Sequence, residues 1–154
     1  MQIHSALPFF KAYFVSWIIT YLLASIFHTQ RVLHELAELD VVISLADRVS
    51  TTLDDIIGLL PKYGSAIALA LLIAQLVAVI ITRRRAHVAP WTCLAGAIAM
   101  LVMLLAMQPI MNVTLIAGAR EASGIALQCL AGAIGGMLFA SLYGYFQSKQ
   151  LRQE

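Results

Sequence analysis

The residues best suited to chemistry lie within residues 29–63. His34 and Glu38 stand four residues apart, a spacing that places an imidazole and a carboxylate on one side of a helix, where they could share a metal ion. Asp54 and Asp55 are adjacent carboxylates, but neighbouring side chains on a helix point about 100° apart and do not converge. A zinc-protease helix would need a second histidine where Glu38 stands. These four residues form a possible outer-face site, yet the sequence favours a non-enzymatic chain and implies no catalytic residue, metal or cofactor.

Two glutamines and two cysteines lie within apolar segments. Gln75 and Gln128 could form interhelical hydrogen bonds or line a polar path. Cys93 and Cys129 begin two copies of the sequence CLAGAI and are the only cysteines of the chain. Each cysteine lies about six residues, or about 9 Å, before the midpoint of its span, and the two spans run in opposite directions. The thiols are therefore predicted to lie about 18 Å apart, too far for a disulfide within one chain.

The composition shows in which solvent these residues lie. Of the 154 residues, 61% are hydrophobic and 12% are charged, whereas soluble domains are about half apolar and a quarter charged. The mean hydropathy is +0.87. Charges at the centre of a span are typical of pumps, transporters and intramembrane enzymes, and the apolar segments carry none there. We therefore expect an integral membrane protein in contact with the lipid bilayer, and no nucleic-acid partner.

Four apolar segments are long enough to cross a bilayer. A helix needs about 20 residues to span a hydrocarbon core of about 30 Å, and charged or turn-forming residues bound each segment. The predicted fold is an all-α integral membrane protein with four transmembrane helices in a single membrane domain, residues 1–154. The predicted spans are residues 8–28, 64–82, 88–108 and 123–146.

The basic residues predict the orientation of the chain. An arginine run at 83–85 connects the second and third spans, and Lys149 and Arg152 follow the fourth. Short loops rich in Lys and Arg stay in the cytoplasm. Both termini are therefore predicted to be cytoplasmic and residues 29–63 to lie outside, in a multipass protein of a bacterial-type inner membrane.

The segment 29–63 is predicted to form an amphipathic outer-face helical cap. Its first half either extends the first span or lies on the outer surface, and residues 53–60, which are too few to cross the bilayer, are predicted to form an interfacial or re-entrant helix. A second helix start is predicted at 50–52, because hydroxyl side chains cap free N–H groups and Asp54 and Asp55 would then lie in the first turn. Pro61 is predicted to break or kink the path before the second span. Apolar residues recur at helical spacing in the first half of the segment, namely Val32, Leu36, Leu39 and Ile43.

Small residues predict close helix packing in the third and fourth spans. Gly132 and Gly136 stand four residues apart, a spacing that lets helix backbones approach closely. With the midpoints of the two spans aligned, Gly132 is predicted to face Val102, so the two CLAGAI copies do not pair residue for residue. A glycine face left over could seat a second copy or a partner helix. The predicted packing or partner interface comprises Gly96, Gly124, Gly132, Gly136 and Gly144.

Three functions are compatible with these observations. The first is a non-catalytic accessory or assembly subunit of a larger membrane complex, with other membrane subunits or a homo-oligomer as partners. The second is an oligomeric small transporter or channel, with Gln75 and Gln128 on its path. The third is a membrane enzyme that uses the possible outer-face site. The absence of a catalytic motif favours the first.

Overall fold

A computed structural model describes residues 6–40, 42–82, 88–111 and 122–152 of the chain. Within these residues the chain is all-helical and contains no strand. The helices are α1 (Ala6–Glu38), α2 (Leu45–Gly58), α3 (Ser65–Thr82), α4 (Ala89–Met111) and α5 (Ala122–Leu151), with a π-helical turn at Leu60–Gly64 between α2 and α3.

Four helices are long and apolar enough to cross a membrane. They are Ala6–Glu38, Leu60–Thr82, Ala89–Met107 and Ala122–Gln150. Their number and positions confirm the prediction of an all-α multipass membrane protein. The arginine run 83–85, on which the predicted orientation depends, lies outside the described residues.

The spans pack in the order α1, α5, α4, α3. Side chains of α1 also reach the start of α3: the Tyr13 hydroxyl donates to the carbonyl of Ala68 at 2.7 Å, and Trp17 Nε1 donates to the carbonyl of Gly64 at 2.9 Å. We call the end of the bundle with the α1–α2 connection the α2 end, and the opposite end, where the described chain begins and finishes, the terminal end.

Helix α1 is longer than one membrane crossing. Its 33 residues extend about 50 Å, whereas a hydrocarbon core is about 30 Å thick. The stretch between Lys11 and Arg31 contains no Asp, Glu, Lys or Arg, and α1 continues past Arg31 to Glu38. The chain then turns at Asp40, whose φ of 61° is left-handed, a conformation that Asp tolerates better than most residues.

Helix α2 begins earlier than the sequence predicted. Ser44 is the N-cap: its hydroxyl accepts from the N–H of Asp47 at 3.2 Å, and the Asp47 carboxylate accepts from the N–H of Ser44 at 3.2 Å. This reciprocal capping box starts the helix at Leu45, so the predicted start at 50–52 is wrong. Hydrogen bonds from the hydroxyl and the N–H of Ser44 hold the pKa of the Asp47 carboxyl below its ordinary value.

The predicted interruption at Pro61 is the π-helical turn. The carbonyl of Leu59 accepts from the N–H groups of both Tyr63 and Gly64, at 2.8 and 3.2 Å. Pro61 stands at the beginning of the turn and has no N–H to donate; the carbonyl of Ile56, five residues earlier, accepts from the hydroxyl of Tyr21 instead. The chain therefore passes from α2 into α3 without an intervening loop.

Candidate functional site

Helices α4 and α5 approach closely through their glycines. A Cβ atom added to Gly96 would lie 2.9 Å from the carbonyl carbon of Gly132, and one added to Gly132 would lie 2.8 Å from the carbonyl carbon of Gly96. A Cβ on Gly136 would lie 2.6 Å from the carbonyl carbon of Thr92. Such distances are shorter than real side chains allow, so only glycine fits. Three of the five glycines of the predicted interface are thus covered by contacts within the chain.

The predicted alignment of these two helices is wrong. Gly132 lies against Gly96 and not opposite Val102, because the glycine contacts, rather than the midpoints of the spans, set the register. Cys93 and Cys129 each precede their glycine by three residues on antiparallel helices, which places them about 9 Å apart along the bundle axis, half the predicted distance. Both thiols are free.

The other glycines of the fourth predicted span differ in their surroundings. Gly124 is buried, whereas Gly144 is exposed and a Cβ on it would meet nothing within 4 Å. Gly135, which the sequence analysis did not single out, is packed against α1. The hydroxyl of Ser16 donates to the carbonyl of Gly135 at 2.6 Å, and a Cβ there would collide with the side chain of Thr20. The adjacent pair Gly135 and Gly136 signals this arrangement, since two neighbouring glycines serve two faces of α5.

Gln128 connects three segments near the α2 end. Its Oε1 accepts from the hydroxyl of Tyr63 at 2.8 Å, and its Nε2 donates to the carbonyl of Ala24 at 3.0 Å. Tyr63 and Gln128 are 0% and 1% exposed. Buried amides in a bilayer need such partners, because no water is available to satisfy them. The side chain therefore holds α5 to α1 and to the π-helical turn.

Gln75 makes a separate contact. Its Nε2 donates to the carbonyl of Thr92 at 3.4 Å, linking α3 to α4, and its buried Oε1 has no hydrogen-bond partner among the described residues. The structure does not bring Gln75 and Gln128 together, since each contacts different helices.

The four residues of the possible outer-face site have different surroundings. His34 Nε2 and Glu38 Oε1 lie 3.4 Å apart on side chains that are 61% and 68% exposed. Asp55 accepts from the hydroxyl of Thr29 at 2.7 Å, which joins α2 to α1, and Asp54 is exposed. Within the described part of the chain, no group of three His, Cys, Asp or Glu side chains could hold a metal ion.

An open groove runs between α3 and α4 and was not predicted. It has a volume of about 900 Å³ and extends from Pro61 to Ile81 along α3 and from Trp91 to Met107 along α4. Its lining is apolar except for Lys62 and Ser65 at the α2 end and the indole of Trp91. The wall formed by α3 carries an alanine at every fourth position, namely Ala66, Ala70, Ala74 and Ala78.

The feature of the sequence that could have predicted this groove is the four-residue spacing of the alanines in α3. Alanines at steps of four form a continuous small-residue face on a helix. They are abundant in apolar segments, however, and only the order of the helices shows that this face borders an opening. Helix α3 has α4 beside it along its length and α1 near its start, so one side of its alanine face is uncovered.

Comparisons with protein-family models, with curated proteins and with solved structures found no match to this chain.

Proposed function

We propose that the chain is a non-catalytic accessory or assembly subunit of a larger membrane complex, and that the groove between α3 and α4 receives a transmembrane helix of its partner. The groove is the observation that carries the proposal. It extends over the length of a membrane crossing, and alanines of both α3 and α4 contribute to its lining, small residues of the kind against which transmembrane helices pack closely.

The surroundings of the glycines support the same surface. Of the five glycines that were the first candidates for a partner surface, four are buried within the chain and Gly144 is exposed, without a neighbouring helix among the described residues. Among the small-residue faces predicted or observed, the alanine face of α3 is therefore the one that borders an opening.

Photocrosslinking in native membranes tests this proposal. A benzophenone amino acid at Ile73, which lines the groove, should yield a protein adduct of one defined mass. The matched control is Phe14 on α1, which lies outside the groove lining and is equally exposed, at 57% against 56% for Ile73. The control position should yield lipid adducts alone.

A second variant narrows the groove. Ala74→Leu places three more carbon atoms in it and should abolish the Ile73 adduct while the isolated subunit keeps its stability. Lipid adducts alone at Ile73 would refute the proposal. An adduct between two copies of the chain would show that the groove binds a second copy of the chain and that the complex is a homo-oligomer.

The proposed membrane is a bacterial-type cytoplasmic membrane, with both termini in the cytoplasm. Lys149 and Arg152 lie at the terminal end of the bundle. In the sequence, the basic run 83–85 stands between α3, which finishes at the terminal end, and α4, which begins there. A green fluorescent protein fused to the C-terminus should fluoresce, and alkaline phosphatase fused there should be inactive. An inactive fluorescent protein together with active alkaline phosphatase would show that the C-terminus lies outside, contrary to the proposed orientation.

The transporter and enzyme alternatives stay predictions. Gln128 has both polar atoms of its amide in hydrogen bonds to neighbouring segments. Of the possible outer-face residues, His34 and Glu38 contact each other on the surface, Asp55 joins α2 to α1, and Asp54 is exposed. These contacts explain the residues as structural groups, so the groove remains the stronger basis for a function.

A further inference from the structure

Helix α2 carries an apolar face that the rest of the described chain leaves uncovered. Leu45, Val49, Leu53 and Ile57 follow one another at steps of four residues and are between 56% and 81% exposed. Each step turns the helix by about 40°, so the four side chains cover a sector of about 120°. No residue of α2 is buried.

A polar face lies beside the apolar one. Asp47, Ser50 and Asp54 are all exposed, and their helical positions centre about 115° from the centre of the apolar face. A helix with an apolar sector on one side and a charged sector on another is the kind that rests in a membrane interface.

A third face of α2 contacts α1, and its contacts give the direction of the helix. Arg48 and Thr52 both bond to Gln30, at 3.4 Å each, and Asp55 bonds to the adjacent Thr29 at 2.7 Å. If α2 ran alongside α1, seven residues of α2 would shift its partners by about 10 Å, or about seven residues of α1. The partners of residues 48–55 stay at Thr29 and Gln30, so the first three turns of α2 cross α1 at one level. The carbonyl of Ile56 accepts from the hydroxyl of Tyr21, eight residues earlier on α1, so the end of α2 inclines into the bundle.

The crossing lies where the uncharged part of α1 ends. Residues 12–30 contain no Asp, Glu, Lys or Arg and extend about 28 Å, close to the thickness of a hydrocarbon core. Thr29 and Gln30 are the last residues of this stretch, and Arg31 follows. The depth at which α2 crosses is therefore the depth at which the hydrocarbon core gives way to headgroups.

We propose that α2 lies in the interfacial layer of the bilayer, in the plane of the membrane, with the apolar face in contact with acyl chains and the polar face toward water. The partner of this surface is the phospholipid bilayer that surrounds the bundle. The π-helical turn joins α2 directly to α3, so the helix is held at the membrane boundary by the chain itself. The inference does not depend on the groove or its occupant.

Accessibility of nitroxide spin labels tests the proposal. Single cysteines replace Val49, Leu53, Ser50 and Asp54 in a chain that carries Cys93→Ala and Cys129→Ala, reconstituted in phosphatidylcholine and phosphatidylglycerol vesicles. Labels on the apolar face should collide more with oxygen, which concentrates among acyl chains, than with a water-soluble nickel chelate. Labels at 50 and 54 should show the reverse.

Positions 53 and 54 are a matched pair. They differ by about 1.5 Å along the helix and by about 100° around it, so a helix standing upright in the membrane would give both labels similar accessibilities. Equal accessibilities at the two positions would overturn the proposal. Labels at 49 and 53 that reach neither reagent would overturn it as well, because that result means that protein covers the face.

A second measurement uses the unmodified chain. In bilayers that contain a phospholipid with a diazirine near the carbonyl end of its acyl chain, photolysis should place lipid adducts on Val49 and Leu53 and leave Ser50 and Asp54 unlabelled, as located by mass spectrometry. Labelling of α3 without any adduct in α2 would contradict the interfacial position, whatever the behaviour of the cysteine-free variants.

Discussion

Gly132→Ala is the substitution for which the structure gives the clearest expectation. The added Cβ would lie 2.8 Å from the carbonyl carbon of Gly96 and 2.5 Å from the Cγ of Met100, whereas carbon atoms in good contact are about 3.5–4.0 Å apart. The side chain of Met100 could rotate away, but the backbone of Gly96 cannot. Helices α4 and α5 must therefore separate by about 1 Å, which forfeits a quarter to a half of the attraction of each atom pair along the interface.

The magnitude follows from two opposing effects. Insertion of a carbon atom into a closely packed interface costs about 1–3 kcal/mol, and a rigid backbone neighbour places this contact at the upper end. Replacing glycine by alanine within a helix returns about 1 kcal/mol. We expect Gly132→Ala to lower the free energy of unfolding by about 2 kcal/mol. Gly96→Ala should have a similar effect, because it meets the same contact from the other side.

The same helix supplies the control. A Cβ on Gly144 would meet nothing within 4 Å, so Gly144→Ala should retain only the favourable effect on helix formation, about 0.5–1 kcal/mol. The assay is equilibrium unfolding in detergent micelles by added dodecyl sulfate, followed by circular dichroism. The two variants should differ by about 3 kcal/mol. A Gly132→Ala protein as stable as Gly144→Ala would refute the close approach of α4 and α5.

Three further outcomes are expected. Gly135→Ala should destabilise the bundle by about 1–2 kcal/mol in the same unfolding assay, and adding Thr20→Ala should restore most of the loss, because the colliding atom there belongs to a side chain; absence of rescue would contradict the contact. Tyr63→Phe should cost about 1 kcal/mol, since it leaves a buried glutamine oxygen without its donor, and an unchanged unfolding midpoint would contradict that hydrogen bond. The pKa of the Asp47 carboxyl, measured by nuclear magnetic resonance, should lie below its ordinary value because the hydroxyl and the N–H of Ser44 donate to it. The stabilisation of the start of α2 is therefore fully present above the ordinary pKa of an aspartate and is lost as the pH falls through the lowered pKa. Ser44→Ala should raise this pKa, and an unchanged pKa would contradict the capping box.

The spans could be predicted from the sequence because a single physical requirement specifies them. Backbone groups in lipid must be paired within the segment, and about 20 apolar residues suffice to cross. Every predicted span falls on an observed helix. The length of α1 was predicted only as one of two alternatives, an extension of the first span or a helix on the outer surface; the structure shows the extension, which continues to Glu38 because nothing before Asp40 interrupts it.

The start of α2 and the register of α4 against α5 show what the sequence analysis missed. The hydroxyl residues at 50–52 resemble a cap, but Ser44 and Asp47 satisfy two N–H groups at once, and this reciprocal bonding decides the start. The register failed for a different reason. The prediction aligned the midpoints of the two spans at the centre of the bilayer. Where two helix backbones touch, however, the glycine contacts determine which residues lie opposite each other.

The order of the helices determines which small-residue surface is available to a partner. The sequence contains two such surfaces, the glycines of α5 and the alanines of α3. Judged by residue type alone, the glycines are the better candidates for a partner surface, because glycine lets helix backbones approach most closely. Helix α5 lies between α1 and α4, so Gly135 and Gly136 are turned toward neighbours on two sides. Helix α3 stands at the end of the row, where its alanine face borders the groove. A partner surface should therefore be sought on a helix at the end of the row, since glycines placed at the centre of a bundle are needed for its own packing.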